Sequence, residues 1–153
     1  MKQVFFAIAV LLIASCDSKN PKPEPDNATL IIGQWKETKS IVNYTSNSNG
    51  SIQNYDATQD DGPVYITFKN NKDCTIAYSF NGVPDEYYTY SISGNNLILK
   101  ETNGSEEFQL TIQKLNNSEL QWKNTNGAGG TLEDINGNNL GTINYAITDF
   151  AKQ

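Results

Sequence analysis

The chain has 153 residues and a net charge of -6, and every one of its 11 basic side chains is a lysine, because it contains neither arginine nor histidine. A pI near 4.5 and the lack of a guanidinium fork argue against nucleic-acid binding. Without an imidazole, and with only two cysteines, the chain has no material for a catalytic triad or a transition-metal centre, so no cofactor or metal is expected.

In chain order, the first feature is Lys2 followed by the apolar run Val4 to Ile13 and then Ala14-Ser15-Cys16. These are the parts of a secretory signal peptide in their usual order, and the run falls short of the roughly 20 apolar residues that a membrane-spanning helix needs. The segment resembles a bacterial lipobox. That resemblance implies removal of residues 1–15 as a signal peptide and acylation of Cys16 with palmitate-type chains. It also implies a membrane anchor in the cell envelope, with the outer membrane of a Gram-negative bacterium the expected address. Asp17 follows directly, but its effect on sorting differs among bacterial groups, so the leaflet stays open. Residues 16–29 then read as a tether. Three alternate prolines, Pro21, Pro23 and Pro25, favour extended polyproline geometry, so the spacer would reach about 30 to 40 Å. With Cys16 acylated, Cys74 has no intrachain disulfide partner and reads as a small buried hydrophobe.

Residues 30–153 form one domain by length. Their periodicity is two, punctuated by Asn-Gly pairs at 49–50, 81–82, 103–104, 126–127 and 136–137. Strands are predicted near 34–44, 64–69, 75–80, 86–92, 96–101, 106–115, 119–124 and 142–150. Alternation gives each strand one dry and one wet face. Val64, Ile66 and Phe68 share a side, as do Ile76, Tyr78 and Phe80, Tyr88, Tyr90 and Ile92, Leu97 and Leu99, and Phe108, Leu110 and Ile112. Leu120 with Trp122 and Tyr145 with Ile147 continue that stripe. Such strands with short connections predict an all-β fold, an eight-stranded antiparallel up-and-down barrel. The segments 45–62 and 127–140 are expected to be long loops.

Gly33-Gln34-Trp35 at the start of the first strand, followed by Ile66-Thr67-Phe68-Lys69, Tyr90 through Leu99 and Leu110 through Leu120, resembles the calycin-type lipocalin-like domains of bacterial lipoproteins. Cys74 departs from the pattern, standing where such hairpins usually carry glycine, and so does the Gly/Asn-rich excursion before the last strand. The resemblance implies that Gly33 and Trp35 are the fold signature, with Trp35 plugging the closed end of the barrel.

A regular strand would place Trp35, Glu37 and Lys39 on one face. Either a bulge turns the strand there or the charged pair sits in a hydrated mouth. Inward-facing Tyr78, Phe80, Tyr88, Tyr90 and Tyr145 could line a pocket with apolar walls and hydroxyl handles, or could simply fill the core. Tyr65 and Tyr87 fall on the opposite face. The adjacent carboxylates Asp60-Asp61, Asp85-Glu86, Glu106-Glu107 and Glu133-Asp134 point to opposite faces in strands and make no catalytic dyad. Asp134 to Asn138 lacks the spacing of a calcium loop. No nucleophile and base can be paired, so the expectation is not an enzyme. It is a lipid-anchored envelope protein whose barrel binds a small apolar or amphipathic molecule. The alternative is an interaction module that docks a protein partner of the envelope.

Overall fold

The computed structural model describes residues 26–58, 62–79 and 82–153. The predicted signal peptide, Cys16, most of the tether and Phe80 lie outside the described residues. After a one-turn helix α1 (Asn27–Leu30) the chain is built of antiparallel strands: β1 (Gly33–Ser46), β2 (Ile52–Asp56), β3 (Val64–Phe68), β4 (Asp73–Tyr78), β5 (Glu86–Ser93), β6 (Asn96–Glu101), β7 (Glu107–Leu115), β8 (Glu119–Asn124), β9 (Thr131–Glu133) and β10 (Asn139–Lys152). Neighbouring strands run β1-β3-β4-β5-β6-β7-β8-β10, and β10 pairs back with β1, closing an eight-stranded barrel.

The two segments expected to be loops each contain a strand. β2 pairs with the second half of β1, and β9 with the first half of β10. β1 and β10 are each 14 residues long and run past the barrel, so β2-β1-β10-β9 forms a four-stranded extension. Polar side chains knit it together. Asn43 Nδ2 donates to Asn54 Oδ1 at 2.8 Å, and Asn144 Nδ2 donates to Asn43 Oδ1 at 3.1 Å. β2 buries no side chain fully and β9 buries only Leu132, so hydrophobic periodicity does not reveal either strand.

The barrel interior is apolar and closed at one end. Trp35, Ile66, Phe68, Cys74, Tyr88, Tyr90, Leu97, Leu99, Leu110, Ile112, Leu120, Trp122 and Phe150 are buried in one cluster with Ile31. At the closed end Trp35 is wholly buried and its Nε1 donates to the Ile31 carbonyl at 2.7 Å. The Lys152 ammonium lies 4.9 Å from the Trp35 ring and donates to the Leu30 carbonyl at 3.1 Å. α1 seals the same end. The Asp26 carboxylate caps its first turn by accepting from the Thr29 amide, and Asn27 Nδ2 donates to the Gly94 carbonyl between β5 and β6. Gly33 has φ +132°, and a Cβ there would stand 2.7 Å from Lys152 Cε, which explains a glycine two residues before the plug.

Candidate functional site

Opposite the plug the barrel is open, and the cause lies in β1. Its first residues pair with β3 as far as Lys36 opposite Tyr65, and its later ones pair with β2 from Ile41 opposite Asp56. Between these stretches the register against β10 shifts at Glu37/Lys39. Of the two readings of the charged pair in β1, the bulge is therefore the one the fold adopts. Glu37 stays on the inner side, where its Oε2 accepts the Val64 amide at 3.1 Å, while Lys39 lies exposed on the outside.

The strand's change of partner leaves a cleft of about 320 Å³ leading into the lumen. Its floor is apolar, made by Ile66, Ile76, Trp122 and Phe150, and Glu37, Ser40, Thr148, Asn124 and Tyr78 bring polar atoms to its walls. Trp122 and Phe150 pack with ring centroids 4.5 Å apart. The volume falls at the lower end of the range for small-molecule pockets. A hollow of about 450 Å³ lies elsewhere, lined by Thr38, Lys39, Lys114, Glu119, Gln121 and Asp149 among others. It is larger but mostly walled by polar side chains that already satisfy one another: Lys114 pairs with Glu119 at 2.7 Å, and Gln121 donates to Asp149 at 2.6 Å. The smaller, apolar-floored cleft is the better ligand site.

Among the predicted pocket tyrosines, only Tyr78 lines this cleft. Tyr88 and Tyr90 face inward but belong to the packed core. Tyr90 meets Phe68 edge-on at 5.0 Å and donates its hydroxyl to the Lys69 carbonyl at 2.9 Å. Burial pushes its phenol up, with the neighbouring Cys74 adding to the shift. Tyr88 packs edge-on against Phe108 and donates to Glu86 Oε2 at 2.7 Å. Burial, then the Glu86 carboxylate, holds its phenol above the ordinary value.

Tyr145 requires a correction. Phe150 stands opposite Leu120 and Thr148 opposite Trp122, so the inward phase of β10 is Ala146, Thr148 and Phe150. Tyr145 therefore lies outside, with the Lys123 ammonium 4.0 Å from its ring centre. Phe80 lies outside the described residues. Sequence reasoning missed Ser40, Thr148 and Phe150 as lining residues, and raised Glu37 only as half of a charged pair at a hydrated mouth. Phe150, two positions beyond Thr148, was the available clue to the phase of β10.

Cys74 is buried in the core, and burial pushes its thiol up to about 12, so it stays a neutral apolar filler. The Asp134 carboxylate is occupied by its own turn, accepting from the Asn138 side chain and from the Asn136 and Asn138 amides, and these bonds lower its pKa. Among the described residues no three His, Cys, Asp or Glu side chains are grouped to hold a metal, and no helix is long and apolar enough to cross a membrane.

A closed eight-stranded antiparallel barrel with one end plugged by tryptophan and the other open over an apolar cleft is a barrel of the lipocalin-like class. The family model of the lipocalin-like domain matches residues 31–122, and the chain belongs to that family. Among solved structures, a lipocalin-like protein from Bacteroides uniformis aligns at 12% identity with a TM-score of 0.47, covering 80% of this chain and 98% of that one. No curated protein sequence matches the chain.

Proposed function

We propose that the protein is a non-enzymatic, lipid-anchored binder of the bacterial cell envelope, which holds a small apolar or amphipathic molecule in the cleft at the open end of its barrel. The observation that carries the binding reading is an apolar floor of Ile66, Ile76, Trp122 and Phe150 beneath a few convergent polar groups. That is the usual construction of a small-molecule site. Anchoring rests on the lipobox resemblance of Ile13-Ala14-Ser15-Cys16. Acyl chains contribute about 0.8 kcal/mol per buried methylene, so several chains hold a soluble domain stably at a bilayer.

Binding is tested with N-phenyl-1-naphthylamine, a neutral probe that fluoresces when it leaves water. It is expected to titrate the protein saturably at one site. Tyr78→Ala is expected to weaken it about tenfold, equivalent to about 1.4 kcal/mol. Tyr145→Ala and Tyr87→Ala act on the outer face and should change affinity by less than about 0.5 kcal/mol. Native mass spectrometry of the protein purified from its own host would then identify any resident molecule. Equal weakening by the inner and outer substitutions would remove the cleft as the site.

The anchor is tested separately. Cys16→Ala is expected to abolish palmitate labelling and leave the precursor uncut or mislocalised. A variant that is still labelled and fractionates with the envelope would refute the lipobox reading.

A further inference from the structure

Carboxylates such as Glu119 and Asp149 lie on the outer wall beside lysines, but around the cleft the charges are placed unevenly. In β1, Lys36 faces out against Tyr65, with its ammonium 5.8 Å from that ring, while the next residue, Glu37, faces the cleft. In β5, Glu86 stands directly opposite the cleft-lining Ile76 and shares the inner face with Tyr88, whose hydroxyl it accepts. Lysines take the other side. Lys39 and Lys100 are exposed, the latter beside buried Leu99, and Lys123 covers the outer ring of Tyr145. Lys152 points inward, but at the plugged end, where it is held by the Leu30 carbonyl.

Among the described residues lining the cleft, Glu37 is the one charged side chain, and the remaining polar groups are hydroxyls and an amide. A ligand with an anionic head would bring like charge to Glu37 and leave water without a cation to receive it, which is costly. A cationic head meets the opposite situation, with the Glu37 carboxylate beside it and aromatic rings below. Trp122 is the aromatic ring best suited to attract a cation.

On the lumen-binding reading above, we infer that the cleft selects a cationic amphiphile, an amine or ammonium compound with a short apolar chain or ring, whose head lies by Glu37 and whose tail lies against Trp122 and Phe150. Ser40 and Thr148 offer hydroxyls within the same walls to an ammonium hydrogen or a neighbouring polar atom.

The test is a matched series of n-octylamine, n-octanol and n-octanoate, titrated calorimetrically into the protein at neutral pH. The tails are equal, so differences report the head group. Octylamine is expected to bind about tenfold tighter than octanol, the scale of one favourable charge contact, and octanoate to bind weakest. Glu37→Gln should shrink the octylamine advantage to within about threefold, with a denaturation midpoint confirming the fold. Octanoate binding as tightly as octylamine, or an amine preference that survives Glu37→Gln, overturns the inference. Equal binding of all three overturns it while leaving the lumen as a site. Failure of all three to bind overturns both.

Discussion

Replacing Trp35 with alanine is expected to lower the stability of the protein by about 3 to 5 kcal/mol, as large-to-small changes at filled core positions do. The ring is wholly buried, and its indole nitrogen is committed to the Ile31 carbonyl at 2.7 Å. Removing it leaves a cavity, orphans that carbonyl and withdraws the surface on which the Lys152 ammonium rests. Total stabilities of about 5 to 15 kcal/mol make this a large fraction of what holds the domain folded. Trp35→Phe should fall between the two, keeping much of the ring volume but losing the hydrogen bond. Chemical denaturation followed by circular dichroism measures all three. An unchanged midpoint for the alanine variant would show that the plug contributes nothing.

Gly141→Ala is expected to cost about 3 kcal/mol, the upper end of what overpacking usually costs, although it adds a single methyl group. At this residue β10 presses so closely on β1 that an added Cβ would stand 2.1 Å from the Thr45 carbonyl oxygen and 2.9 Å from the Tyr44 ring. The oxygen is main chain within a strand and cannot turn aside as a side-chain tip could. The seam between β1 and β10 must open instead. Gly127→Ala is the control, since nothing lies within 4 Å of its Cβ position, and should leave the midpoint within about 0.5 kcal/mol of the parent. Equal effects at the two glycines would show that the close approach at Gly141 carries no strain.

Much of this fold is legible in the sequence because period-two alternation and short polar turns leave few other arrangements. Ile66 and Phe68, Leu97 and Leu99, and Leu110 and Ile112 all face the core as their spacing requires. The charged Glu37 and Lys39 two residues apart already hinted at an irregularity, because a regular strand would have carried both into the lumen. β10 was ambiguous for a physical reason. It offers two competing phases, one with Tyr145 and Ile147 and one with Thr148 and Phe150, and the first looks more apolar. The second prevails because Phe150 stands opposite Leu120 and against Trp122, where the core is deepest. Whether an inward tyrosine lines a cleft or fills the interior depends on how far along the barrel it sits. Tyr78 ends its strand at the open rim and lines the cleft, whereas Tyr90 lies near the plug and is packed. The cleft itself arises where β1 leaves β3 for β2, and no local pattern encodes that exchange.

The seam between β1 and β10 also bears on how the molecule assembles. Every strand from β3 to β8 pairs with a neighbour adjacent in sequence, so those hairpins can form early and locally. Closure joins the opposite ends of the domain: Lys152 reaches the carbonyl of Leu30 across 122 positions of chain. Such a distant pairing places the fold among slow folders, with times of about milliseconds to seconds. Until it forms, β1 and β10 are open edges able to recruit another chain. The ring-closing contact therefore guards against aggregation during folding, and weakening it should lower the yield of refolded monomer at high protein concentration more than at low.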